Sequence, residues 1–99
     1  MKLVFITNYV HHHQIPLADE FYGLLGDDYK YIATDALPDW LIKGGYDPSI
    51  SRPYVIRAYE NDLNQRDAKQ LVNDADYALS DYAGCGELLK KAMRYARVE

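Results

Sequence analysis

Three consecutive histidines, His11, His12 and His13, stand between Asn8-Tyr9-Val10 and Gln14-Ile15-Pro16. Imidazole titrates near neutral pH, so such a cluster suits proton transfer, hydrogen bonding to a hydroxyl or phosphate, or metal ligation. The spacing argues against a metal. Helical ligand pairs stand four residues apart, and adjacent residues of a regular element cannot all aim at one ion. In an extended segment only His11 and His13 would share a side. No Cys, Asp or Glu stands beside them at a familiar ligand spacing. Hydrogen-bonding chemistry fits better, because Asn8, His12, His13 and Gln14 offer donors and acceptors suited to hydroxyl groups or phosphate. The structural alternative is that these residues close a turn and cap the helix that follows.

A second candidate stretch is Ser80-Asp81-Tyr82-Ala83-Gly84-Cys85-Gly86. Its glycines would let a substrate approach the backbone. Cys85 near a helix start would gain thiolate character. It also begins an apolar series with Leu88 and Leu89, and the reading as a small buried hydrophobe is preferred. Several familiar chemistries are missing. The first loop contains no glycine, so it is neither a dinucleotide-binding loop nor a P-loop, and the chain has no GxSxG. Thr7-Asn8 lacks the acidic pair of a phosphoreceiver.

Both stretches sit where an α/β fold would put them. Lys2 to Thr7 is a continuous apolar run with the length of a buried parallel strand. Pro16 suits the first turn of a helix, Ala18, Phe21, Tyr22 and Leu25 form one helical face, and Gly26 stands at its stop. Tyr29 to Thr34 is a second strand. Pro38, Gly44-Gly45, Pro48 and Pro53 break residues 35–53, with a short helical turn at Asp39 to Lys43. Tyr54 to Tyr59 is a third strand. Ala68, Leu71, Val72 and Ala75 mark a helix over 62–75, capped by Asn61 or Asp62. Asp74 and Asp76 read as a solvated turn. Tyr77 to Ser80 is a fourth strand, and Cys85, Leu88, Leu89 and Ala92 repeat at helical spacing. This alternation predicts a Rossmann-like three-layer α/β sandwich with a mainly parallel sheet of about four strands. The first loop then lies at the carboxyl end of strand one, where open α/β sheets bind ligands.

The 99 residues make one domain with one modest core. A hydrophobic fraction of 48% is too high for a disordered chain. The net charge of -4 argues against a nucleic-acid partner, which needs a basic face. The lone Cys85 excludes an internal disulfide, and the first apolar run is too short for a signal or a membrane span, so a cytoplasmic setting is expected, at most at the inner membrane surface. Ten tyrosines run along the whole chain and are read first as amphipathic packing residues.

The opening MKLVFITNYVHHHQIPLADEFYGLLGDDYKYIAT resembles the amino terminus of bacterial glycosyltransferases of the two-Rossmann-domain (GT-B) architecture. The likeness rests on Asn8-Tyr9, on His12-His13-Gln14 with Pro16-Leu17, and on the helix ending Leu24-Leu25-Gly26. It continues in Pro53-Tyr54-Val55-Ile56-Arg57 with Tyr59-Glu60 and in Asp74-Ala75-Asp76, over roughly the first 80 residues. The resemblance implies transfer of a sugar from a nucleotide-sugar to an acceptor hydroxyl, with no obligatory metal or other cofactor. The amino-terminal domain of such enzymes mainly serves the acceptor, and the carboxyl-terminal domain holds most nucleotide-sugar contacts. By the resemblance, Asn8, His12, His13 and Gln14 would line the interdomain cleft and Ser80 to Gly84 would border it. The position of His12 and His13 after strand one, with imidazole titrating near neutral pH, makes them the catalytic candidates, and Asn8, Tyr9, Gln14, Ser80, Asp81 and Gly84 are the expected substrate contacts. The sequence ends at Glu99, so the expected partner is a missing nucleotide-sugar-binding domain, and these 99 residues alone are expected to be inactive. In a strand order 3-2-1-4 the fourth strand would be an edge, which predicts self-association through residues 77–80. The rival reading is a stand-alone α/β interaction or regulatory module that binds a partner and does no chemistry.

Overall fold

The computed structural model describes residues 1–80. Asp81, Gly84, Cys85 and the expected last helix lie outside the described residues. Four parallel strands, β1 (Leu3–Thr7), β2 (Tyr29–Ala33), β3 (Val55–Arg57) and β4 (Tyr77–Ser80), pair in the order β3-β2-β1-β4. The α/β architecture with a parallel, Rossmann-like sheet is the one expected. No helix among the described residues is long and apolar enough to cross a membrane.

The strand side chains alternate between two layers. Val4, Ile6, Ile32 and Ala78 face one way and pack against Ala68 and Val72 of α3 (Asp62–Asp74). Leu3, Tyr29, Tyr31 and Ala33 face the other way and pack with Ile15 and Ala18 of α1 (Ile15–Leu25). The register sets Leu3 beside Tyr29 and Phe5 beside Tyr31, so aromatic rings form a continuous surface under α1. α1 carries proline in its first turn and ends at Gly26, whose φ of 59° is the left-handed region open to glycine; its N–H closes on Tyr22 O. α3 is capped by the Asn61 carboxamide, which accepts the Asn64 N–H at 2.7 Å. A short α2 (Asp39–Lys43) interrupts the segment between β2 and β3.

Two details differ from the sequence expectation. β3 is shorter than Tyr54 to Tyr59. The ladder reaches one residue past each end, through Tyr31 N to Tyr54 O and Ala58 N to Ala33 O, before Glu60 N turns back onto Arg57 O. Asp76 is more than a solvated turn residue. Its carboxylate accepts the Lys2 N–H at 2.8 Å, while Lys2 O accepts from Asp76 N and Tyr77 N. Asp76 thereby starts the pairing of β4 with β1.

The tyrosines are packing residues first. Tyr29, Tyr31 and Tyr54 are among the largest fully buried side chains. Phe21 stacks on Tyr29 at 5.5 Å between centroids, Tyr22 meets Tyr54 at 5.3 Å, and Tyr29 meets Tyr54 at 5.2 Å. Burial pushes the Tyr29 phenol up to about 12 and the Tyr54 phenol higher still. Tyr54 resolves its buried hydroxyl by donating to Asp19 Oδ1 at 2.8 Å, and Arg52 Nε reaches the same oxygen at 3.1 Å. Those two hydrogen bonds, Tyr54 first, hold the Asp19 carboxyl below the usual Asp range. A lowered folded value means stability that is present above the ordinary Asp pKa, about 3.9, and lost as pH falls through the folded value. We therefore expect the stability difference between the parent chain and Asp19→Asn to shrink on acidification through that window. Carboxyl NMR titration should place the Asp19 midpoint low and move it upward in Tyr54→Phe. An unchanged midpoint in Tyr54→Phe would remove the phenol as its cause.

Candidate functional site

The chain leaves β1 at Thr7 and must reach α1 at Ile15 within seven residues. The residues at the start of this connection stay tied to β2. Thr34 N donates to Thr7 O at 3.0 Å and Asp35 N to Asn8 O at 2.7 Å, so the strand ladder continues beyond both strands. Asn8 then closes the turn. Its Oδ1 accepts from Tyr9 N at 2.9 Å and lies 3.3 Å from Thr7 Oγ1 and 2.9 Å from His11 Nε2.

The next anchor comes from below. Tyr31 is 1% exposed, and its hydroxyl emerges under the loop. It accepts the His11 N–H at 3.2 Å and lies 3.0 Å from Tyr9 O and 2.6 Å from Gln14 Oε1. A phenol has one proton, so it donates to one of those two oxygens at a time. The buried polar atom is fully used, and three points of the loop are fixed to one strand residue. Gln14 N donates to His11 O at 3.0 Å, and His12–Gln14 forms one turn of 3-10 helix that leads into α1.

This turn displays the imidazoles. His11 is half-buried, whereas His12 and His13 are exposed. The rings gather on a residue from a distant segment, Tyr46. His12 lies 4.9 Å from it between centroids, His11 5.8 Å and His13 6.4 Å, all edge-to-face. His11 and His13 are 5.2 Å apart, and His12 and His13 5.6 Å. Next to Tyr46, the Asp47 carboxylate is held low chiefly by the side-chain and backbone hydrogen bonds of Ser49, at 2.6 and 2.8 Å, with a smaller contribution from His12. Among the described residues, no group of three or more His, Cys, Asp or Glu side chains is placed to hold a metal ion.

A pocket of about 140 Å³ opens at the same end of the sheet, lined by Val10, Asp35, Leu37, Pro48, Arg57 and Tyr59 among others. Asp35 follows β2 and Arg57 ends β3. Arg57 donates a terminal nitrogen to Ile50 O, and its own backbone O accepts from Asn64 Nδ2 at 3.2 Å. Loop, tyrosine and pocket thus form one surface over the carboxyl ends of β1, β2 and β3, the place where parallel sheets bind ligands.

The chain matches no family model, no curated protein and no solved structure. The geometry alone therefore sorts the candidate residues. His12 and His13 stand exposed at the carboxyl end of β1 and touch their neighbours through ring contacts. Asn8, Tyr9 and Gln14 lie in the same loop but are engaged in building it. Ser80 ends β4, one strand over from β1. Asp81 and Gly84 lie outside the described residues. Sequence reasoning missed Tyr31, Tyr46 and Asp35 as site residues, and met Arg57 and Tyr59 only as parts of a similar stretch. The rule that flagged the loop after β1 applies equally to the first residues after β2 and β3, and would have found Asp35, Arg57 and Tyr59. Tyr46 carries no such signal.

Tyr31→Phe removes the shared hydroxyl and leaves its loop partners short of one group. We expect a loss of about 1–3 kcal/mol in urea unfolding. Amide exchange at His11 should accelerate beyond what the global loss accounts for. Unchanged protection at His11 would show that the loop is held without this phenol.

Proposed function

We propose that this chain is the acceptor-side domain of a GT-B-type glycosyltransferase, working in the cytoplasm. One observation carries the reading furthest: two exposed imidazoles, His12 and His13, stand in the loop at the carboxyl end of β1, whose Val10 lines a small pocket that also holds Asp35 and Arg57. Such a site suits an acceptor hydroxyl that must be oriented and deprotonated. The resemblance of the first loop and of the stretch around Arg57 to that enzyme group adds support. In the proposed step the acceptor oxygen bonds to the anomeric carbon of a nucleotide-sugar. The bond from that carbon to the diphosphate oxygen breaks, and its electron pair leaves with the nucleotide. The acceptor proton passes to an imidazole nitrogen of His12 or His13. His11 is left out of this role because its Nε2 already meets Asn8 Oδ1.

The nucleotide-sugar contacts would come from a second domain, so activity belongs to a two-domain enzyme. The position of β4 at one edge of the described sheet supports pairing with a further strand, from that domain or from a second copy. The test is transfer by the full enzyme with His12→Ala and His13→Ala combined. Loss of a general base should cut turnover by about 10²–10⁴-fold with folding intact. Near-normal turnover would end the catalytic role of the histidines. A native gene product no larger than this chain would favour a binding module instead.

A further inference from the structure

We propose that Asp35 and Arg57 form a binding site for a small hydroxylated carboxylate, such as the terminal unit of an acidic sugar. This deepens the acceptor-side reading, on which it rests for its biological use, though not for the binding itself. The two residues bring opposite charges to one pocket of about 140 Å³, yet neither enters an ion pair; the pairs among the described residues are Met1 with Asp28 and Arg52 with Asp19. Each is nevertheless held in place through other atoms. Asp35 is fixed by its N–H on Asn8 O, and Arg57 by its ladder position beside Ala33 and its bond to Ile50 O. The Asp35 carboxylate accepts no hydrogen bond among the described residues, and the Arg57 guanidinium spends one donor on the protein.

The chemistry of the missing occupant follows. Arg57 is half-buried, and no carboxylate among the described residues pairs with its charge. A planar fork of donors is matched best by a carboxylate. Asp35 accepts hydroxyl protons, and its charge disfavours a dianion such as phosphate in the same space. A neutral sugar would satisfy Asp35 and leave Arg57 unmatched. A monoanion with neighbouring hydroxyls satisfies both, and Tyr59 on the rim adds a phenol. The volume equals that of about four or five water molecules at ~30 Å³ each, enough for a carboxylate and its adjacent hydroxylated carbons. The Asn8–Asp35 bond joins this pocket directly to the histidine loop.

The test is NMR titration of the chain with D-glucuronate, D-glucose and inorganic phosphate, following the amides of Asp35, Ala36 and Tyr59 and the Arg57 Nε–H. Glucuronate should shift these signals saturably, and glucose and phosphate should bind at least about tenfold more weakly. Arg57→Lys keeps the charge and the reach to Ile50 O but loses the fork, and should weaken glucuronate about tenfold or more. Asp35→Asn, on the surface, should weaken it several-fold. No shift at these groups, equal binding of glucose or phosphate, or affinity untouched in both variants would overturn the proposal. Glucuronate binding here by a two-domain enzyme that transfers no sugar would sink the transferase reading and leave the site standing. Transfer to a neutral acceptor, indifferent to Arg57→Lys, would do the reverse.

Discussion

The hydroxyl of Tyr31 is the point on which the upper half of the molecule turns. A tyrosine at the centre of a parallel sheet brings apolar area to the core, but it also carries a polar atom that is costly to bury alone. The residues between β1 and α1 meet that need, and in doing so they acquire their shape. Tyr9, His11 and Gln14 all reach the one oxygen. The entry of α1, the turn at His12–Gln14 and the outward display of His12 and His13 follow from it.

The same logic recurs at Tyr54, whose buried hydroxyl finds Asp19 on α1 and thereby pins the helix to the sheet. In both cases an aromatic body fills the layer between sheet and α1 while its polar tip ties down the element above. The opposite layer is built differently. Val4, Ile6, Ile32, Ala68 and Val72 meet there with no polar side chain among them, so the centre of that layer is held by packing, with the Asn64 hydrogen bond to Arg57 O at its end. The asymmetry suits the two roles. The all-apolar face is scaffold, and the tyrosine face leads upward into a polar loop.

Much of the scaffold was legible in the sequence, because each element carries its own signal. The apolar run of β1, the spacing of Ala68, Leu71, Val72 and Ala75, and Gly26 after α1 are local patterns with local causes. The candidate site was legible only along one strand end. Asn8 and Gln14 looked like ligand contacts because they are polar residues in a βα loop. Their partners, a neighbouring imidazole and a phenol 17 residues away from Gln14, engage them in building the loop. Tyr46 looked like a loop residue because nothing near it in sequence marks a site, and Arg57 looked like a strand residue because the strand-end rule was applied only after β1 and β4.

The sequence by itself determined the class of fold, the order of its elements and the apolar faces of α1 and α3, since periodicity and turn chemistry act over a few residues. It also placed the histidines after β1. Only the tertiary structure decided what surrounds them. Strand order set Asp35 and Arg57 on neighbouring strand ends beside the first loop. The path of residues 35–53 brought Tyr46 onto the three imidazoles. Those juxtapositions join residues more than 20 positions apart. They depend on how the sheet closes and where a long connection returns, which no local pattern encodes.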